Sequence, residues 1–306
     1  MAETSLGGKA FLANSGAEAA EGAIKLARKH AHGRGVDMPR VLSLEGGFHG
    51  RTIGALAATP KLADEARFGP LPRGFDAVAR DDAGALREAV TTETAAVMIE
   101  PIQGEAGIFP IADEVLVAAR EACDATGALL VFDEVQAGMG RTGTLWAFEQ
   151  LPARPDVITA AKALGGGLPV GAVVTSPELA DTFETGDHGS TFGGGPVGAS
   201  AALAALDVIG DEAVLQNVRE RGAQLAGGLS AMEGVAEVRG RGLMIGLTLA
   251  EGLDAPAARD RCLKAGLIVN CPGPGMLRLL PPLILSASDA EEGLAIMAGC
   301  IAPGHP

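Results

Sequence analysis

Residues 129–143 read LLVFDEVQAGMGRTG, and their first five letters carry most of the fold. Positions 129–132 are an unbroken apolar run that stops at Asp133. A strand with one wet face alternates apolar and polar residues. An unbroken run is the form of a strand covered on both faces, as in a parallel sheet flanked by helices. Just upstream, 113–126 puts Val115, Ala118, Ala119 and Ala122 on one helical face and stops at Gly127. Farther out the alternation repeats. Apolar runs at 9–14, 40–44, 95–99, 156–160 and 171–175 predict strands. Ala20, Ala23, Ile24 and Ala27 predict a helix over 18–30. From 196 to 232 the pattern is mostly helical. Beyond it, strand patterns at 235–238, 243–249, 267–270 and 277–279 mix with helices at 255–265 and 289–301. This predicts an α/β chain with two domains: a mostly parallel sheet with helices on both faces over 1–209, and a smaller α+β domain over 210–306.

Composition narrows the function. The chain has 306 residues, 47% hydrophobic and 20% charged, which excludes intrinsic disorder. A net charge of −14 leaves no basic stripe for phosphates, so neither nucleic acid nor an anionic membrane surface is expected as a partner. With no Tyr and one Trp there is no platform for stacked bases. The four cysteines lack paired or metal-like spacing and read as reduced thiols, and no metal is expected. No apolar run approaches the ~18 residues of a membrane span, and residues 1–9 lack a signal-peptide pattern. A cytoplasmic protein is expected.

In sheets of this kind ligands bind beyond the carboxyl ends of the strands. The polar residues fall there: Asn14-Ser15, Glu45, Glu100, Asp133 and Lys162 each follow an apolar run. Lys162 in an apolar segment reads either as a snorkelling surface residue or as an amine able to form a Schiff base with a carbonyl. Asp133 is either a capped strand end or a buried anion paired with a cation, of which a pyridinium nitrogen is one. Ser15-Gly16-Ala17 opens a helix directly after a strand, where free N–H groups favour an anion. Phe48-His49-Gly50-Arg51 offers a flat apolar ring beside a guanidinium that can bind a carboxylate, or simple packing beside a surface charge. Gly189–Gly193 brings two hydroxyls, Ser190 and Thr191, to an anion or merely turns the chain. No GxGxxG, GxxxxGK[ST] or GxSxG is present, so dinucleotide, P-loop and serine-hydrolase readings lose their support.

In this order the pieces resemble a known family. NSGAEAAEGAIKLAR, GGFHGRT, IEPIQGEAG, LLVFDEVQAGMGRTG, AAKALGGGLPVGAVV, HGSTFGG and RGRGLMIG are similar to the class III, ornithine-type aminotransferases of the pyridoxal-phosphate fold type I. The likeness runs from about Lys9 to Pro282, with the lysine 29 positions after the Asp of DEVQ. AGLIVNCPGPGMLRLLPPLIL and GLPVGAVV look most like the acetylornithine branch.

The resemblance implies pyridoxal 5'-phosphate carried covalently by Lys162, with Asp133 on the pyridinium nitrogen and Gln136 on the phenolic oxygen. Val135 and Phe48 would sandwich the ring, Ser15, Gly16 and Ala17 would bind the phosphate, and Thr191 would reach the phosphate of a neighbouring subunit in a homodimer. Arg51 would clamp the substrate α-carboxylate and Ser190 would touch the donor. Glu105 would pair with Arg239 in a gate that opens for glutamate. The implied reaction moves the δ-amino group of N2-acetylornithine to 2-oxoglutarate, giving N-acetylglutamate 5-semialdehyde and glutamate. Other donors of the class (ornithine, succinylornithine, 4-aminobutyrate) and a truncated, non-catalytic remnant are the competing readings. The chain departs from the pattern twice. The family carries about ninety residues ahead of the first matching strand, completing a ~400-residue subunit. Gly195 also stands where GGNP has Asn, for which a change in loop rigidity is expected.

Overall fold

The computed structural model describes residues 1–60 and 65–301. The chain opens with β1 (Ala10–Ala13), α1 (Gly16–Gly33), β2 (Arg40–Leu44), α2 (Ile53–Ala57), α3 (Glu65–Phe68), β3 (Phe75–Val78), α4 (Ala83–Ala89) and β4 (Thr94–Ile99). It continues through β5 (Ile102–Gln103), β6 (Phe109–Pro110), α5 (Asp113–Thr126), β7 (Leu129–Asp133), β8 (Val157–Ala160), β9 (Gly171–Thr175) and α6 (Pro196–Ile209). It ends with α7 (Glu212–Ser230), β10 (Val235–Arg241), β11 (Met244–Leu249), α8 (Ala255–Lys264), β12 (Asn270–Gly273), β13 (Met276–Leu279) and α9 (Ala287–Ile301). Two compact units result. One holds Met1–Pro101, Ile111–Met139 and Trp146–Asp207; the other holds Ile102–Pro110, Gly140–Leu145 and Val208–Pro306. The second unit thus takes two earlier excursions of the chain, which one boundary near 210 does not provide.

The first unit is built on a seven-stranded sheet in the order β1-β9-β8-β7-β4-β2-β3. From β3 to β8 every pairing is parallel, while β9 runs against both β8 and β1. Because β9 reverses twice over, β1 points the same way as β8, and its carboxyl end lies on the same edge as those of β2, β4 and β7. β4, β7, β8 and β9 are buried along their whole length, as their unbroken apolar runs require. α1 covers the sheet with a face of small residues, Ala19, Ala20, Ala23 and Ala27, all essentially inaccessible. The approach is close: a Cβ on Gly22 would lie 2.9 Å from Val173. β3 and α4 have no counterpart in the sequence pattern, since β3 is an edge strand with only Val78 buried.

The second unit has a four-stranded antiparallel sheet, β10-β11-β13-β12, and the two-stranded ribbon β5-β6. Val218, Leu225 and Leu229 of α7, Ala258 and Cys262 of α8 and Met297 of α9 form its core with Ile245, Leu247 and Leu277. The strand predicted at 267–270 lies later, at Asn270–Gly273, because only there does the backbone pair with β13. No helix among the described residues is long and apolar enough to cross a membrane.

Candidate active site

A cavity of about 570 Å³ opens at the carboxyl edge of the large sheet, within the first unit. Its walls hold Ser15, Gly16 and Ala17 after β1, Phe48 to Arg51 after β2, Glu100 after β4, Asp133, Val135 and Gln136 after β7, and Lys162 after β8. Of the predicted rim, Glu45 alone is missing from this wall. Past it the chain runs through two glycines and presents Phe48–Arg51 instead. Residues 167–170, which lead into β9, also line it.

Asp133 ends β7 and is 4% exposed. Each oxygen has a protein donor: Oδ2 lies 2.8 Å from His49 Nδ1, and Oδ1 accepts the Val135 N–H at 3.1 Å. His49 is itself buried, and burial works against its charged form. The hydrogen bond and charge of Asp133, with Glu100 adding, outweigh burial and raise the imidazole above its ordinary value. Its Nε2 finds no hydrogen-bond partner among the described residues. Nothing in the local sequence around His49 announces its contact with Asp133. The neighbouring Glu134 turns away from the cavity and accepts the Ala147 and Phe148 N–H groups at 2.7 and 2.8 Å. Burial pushes it up to about 7 against those two bonds.

Lys162 stands at φ 48°, left-handed backbone that costs a non-glycine residue about 1 kcal/mol or more. The turn is imposed by Ala161, whose carbonyl accepts the Leu164 N–H at 3.0 Å, and by the glycines that follow. Backbone strain of this kind clusters at ligand-binding and active sites. At the start of α1, Ser15 accepts the Glu18 N–H at 3.2 Å and caps the helix. The approach there needs glycine, since a Cβ on Gly16 would sit 2.9 Å from Val135. Glu18 reaches back to the Asn14 N–H at 2.7 Å and to its side-chain amide at 2.9 Å. The Arg51 guanidinium lies 5.5 Å from the centre of the Phe48 ring.

Ser190 and Thr191 are not in this wall. They line a second cavity of about 370 Å³ with Phe11, Asn14, Glu18 and His188. Ser190 Oγ accepts from Asn14 Nδ2 at 3.1 Å and from the Gly193 N–H at 3.0 Å, and Thr191 is exposed.

The second unit corrects one pairing. Glu105 is held by Arg278, at 2.8 Å, where the resemblance implied Arg239. Arg239 donates to the Gly107 carbonyl at 2.9 and 3.1 Å, pairs with Glu237 at 3.1 Å and lies 4.1 Å from the Phe109 ring centre. The reason is the sheet register. Arg239 and Arg278 both stand opposite Gly246, one on each neighbouring strand. The 104–108 loop crosses over that glycine, where a Cβ would meet the Gly107 carbonyl at 2.4 Å. Glu105 falls on the Arg278 side.

These contents fit one kind of guest. An amine, a buried hydrogen-bonded carboxylate, an apolar ring wall and a glycine-lined helix N-terminus match the aldehyde, pyridine nitrogen, ring and phosphate of pyridoxal phosphate. Fold and cavity together define a pyridoxal-phosphate-dependent enzyme. Comparison with known proteins places it further: the family Aminotransferase class-III matches residues 1–301, and the chain belongs to that family. It is 47% identical over 300 residues to an acetylornithine aminotransferase of Gloeobacter violaceus, covering 95% of this chain and 74% of that protein. The same identity over 289 residues relates it to an acetylornithine aminotransferase of Methanocaldococcus jannaschii, covering 92% and 72%. Among solved structures, the ornithine aminotransferase of Toxoplasma gondii ME49 superposes with a TM-score of 0.91 at 31% identity, covering 97% of this chain and 73% of that one. The N-acetylornithine aminotransferase of Stenotrophomonas maltophilia K279a gives 0.82 at 37% identity, covering 96% and 74%.

Proposed function

We propose that this transaminase takes the δ-amino group of N2-acetylornithine and delivers it to 2-oxoglutarate, as a step of arginine biosynthesis in the cytoplasm. The observation that carries the reading is the convergence of Lys162, Asp133 and Arg51 on one cavity in a chain 47% identical to acetylornithine aminotransferases. The donor would leave as N-acetylglutamate 5-semialdehyde, and 2-oxoglutarate would then collect the amino group and leave as glutamate.

When bound, pyridoxal phosphate supplies the electron-withdrawing ring that makes the carbon bearing the amine acidic. Lys162 Nζ would hold the group covalently and, once released by the incoming donor, take the δ-carbon's proton and return it. Asp133 would face the pyridine nitrogen and keep it protonated, steadied by His49. Ser15, Gly16 and Ala17 would receive the phosphate at the N-terminus of α1. Phe48 and Val135 would pack on the ring, and Gln136 would bond its phenolic oxygen. Arg51 would hold the α-carboxylate by two parallel N–H bonds, and Ser190 would contact the donor. We assign the gate to Glu105 and Arg278, with Arg239 as its neighbour, because a guanidinium already bonded to one carboxylate can exchange it for that of 2-oxoglutarate.

A homodimer is part of the proposal. Thr191 lies outside the cavity that holds Lys162, and beside it Phe192 is 79% and Val197 72% exposed, apolar surface that calls for a cover. The test is spectroscopic. Visible absorption of the cofactor-loaded protein should bleach on adding N2-acetylornithine and recover on adding 2-oxoglutarate. Faster bleaching by ornithine, succinylornithine or 4-aminobutyrate would assign another donor.

A further inference from the structure

Arg51 sits on a short segment whose two sides are fastened to the same helix. Before it, Gly50 stands at φ +139° with room for no side chain, since a Cβ there would lie 2.9 Å from Ala17 of α1. After it, Glu21 of α1 accepts three hydrogen bonds on Oε1: from Thr52 Oγ1 at 2.6 Å, the Gly54 N–H at 2.9 Å and the Ala55 N–H at 3.1 Å. Those two N–H groups are orphan donors of the first turn of α2, usually met by the residue that caps the helix. Thr52 occupies the capping position and makes no such bond. Its hydroxyl is turned to Glu21, and a carboxylate from another helix caps α2 in its place. The fit is tight, for a Cβ on Gly54 would lie 2.3 Å from Glu21 Oε2.

We infer that Glu21 is a positioning residue for Arg51. It ties the backbone after Arg51 to the helix whose N-terminus is the proposed phosphate seat, so that guanidinium and phosphate keep one separation. The chemistry asks for Glu in particular. Three donors converge on one oxygen, which an ionised carboxylate accommodates, and the negative charge lies at a helix N-terminus. Asp is one methylene too short to reach from α1. A clamp displaced by about an ångström loses much of its value, since productive geometry tolerates little misplacement.

The inference rests on the reading of Arg51 as the α-carboxylate clamp, and the experiment separates the two. KM is measured for N2-acetylornithine and for its decarboxylated analogue, N-acetylputrescine, with wild type, Arg51→Ala, Glu21→Ala, Glu21→Gln and the double variant Glu21→Ala/Arg51→Ala. Glu21→Ala should raise KM for the carboxylate donor about tenfold and leave the analogue within about twofold. Glu21→Gln, which keeps Oε1 as a neutral acceptor, should fall between wild type and Glu21→Ala. In the double variant the Glu21 change should add nothing to the loss from Arg51→Ala. Affinity for pyridoxal phosphate, titrated by absorbance, should stay within about twofold, because Ser15–Ala17 are not held by Glu21. If Arg51→Ala treats both donors alike, the clamp reading fails. If Arg51→Ala discriminates and Glu21→Ala does not, or if the two losses simply add, Glu21 does not act through Arg51 and the inference is overturned. Should Glu21→Ala not fold, Glu21→Gln against Arg51→Ala decides in the same way.

Discussion

His49 and Asp133 lie 84 positions apart in the chain and 2.8 Å apart in space, which is why the pair could not be read from local sequence. Asp133 and Lys162 are legible because each interrupts an apolar run, whereas a histidine in a glycine-rich loop carries no mark of its partner. The pair has a pH signature. His49 is raised above its ordinary value of 6.5, so its stabilisation is complete below that value and is lost as pH rises through the folded value. His49→Phe leaves one oxygen of a buried carboxylate without its donor and should cost about 2 kcal/mol near pH 6. Urea unfolding at pH 6 and pH 9 should show the gap to wild type shrinking at the higher pH; an equal gap refutes the charged pair. Glu134 has the same sign for a different reason. Its folded value of about 7 lies above the ordinary value of 4.5, so the folded chain binds the extra proton and stability falls as pH rises between those two values. The fall is about 3 kcal/mol at most. Glu134→Gln should flatten that slope while leaving one of the Ala147 and Phe148 N–H groups poorly paired, a loss visible in Tm at every pH.

Among the elements, α6 shows what the unusual glycine does. The Gly195 carbonyl accepts the Ala199 N–H at 2.9 Å, which puts Gly195 at the capping position ahead of Pro196. Asparagine is favoured there, and glycine falls short of it by only a few tenths of a kcal/mol. Gly195→Asn should therefore raise Tm by about 1 °C and leave cofactor affinity unchanged. A Cβ at this position meets the Phe192 carbonyl at 3.1 Å, so a lower Tm would mean that the carbonyl cannot yield. The same scale shows which elements the sequence could announce. β4 and β7 are buried throughout, and continuous burial writes a continuous apolar run. β3, with Asp76 and Ala77 exposed, writes nothing so distinct. β12 begins later than its sequence suggests, because Leu267-Ile268-Val269 is strand-like in composition, yet Ile268 is 86% exposed and the ladder begins only at Asn270. Arg278 is not legible either, because an Arg inside a strand reads as a solvent-facing residue, whereas this one is 9% exposed over the 104–108 loop.

At the scale of the whole molecule, charge and apolar surface pull in opposite directions. Each copy carries −14, so two copies repel at long range. Against this, α6 is apolar nearly all round while Ala202 is its sole buried residue, and Leu203 is 63% exposed. A helix apolar on every side belongs inside something. If a second copy provides the cover, association is driven by apolar burial and opposed by net charge, and raising the salt from about 0.05 to 0.5 M should tighten it by shortening the Debye length from ~14 to ~4 Å. An interface made of surface ion pairs would loosen instead, so sedimentation at the two salts distinguishes them. Leu203→Glu adds a charge to the same surface and should weaken the proposed dimer at least about a hundredfold, roughly 3 kcal/mol. Because Thr191 lies outside the cavity of its own chain, the monomeric variant should also lose affinity for pyridoxal phosphate, by about tenfold for one lost hydrogen bond to a charged oxygen. A Leu203→Glu protein that stays dimeric removes α6 from the interface. A monomer that binds the cofactor as tightly as wild type keeps α6 there and removes Thr191 from the neighbour's site.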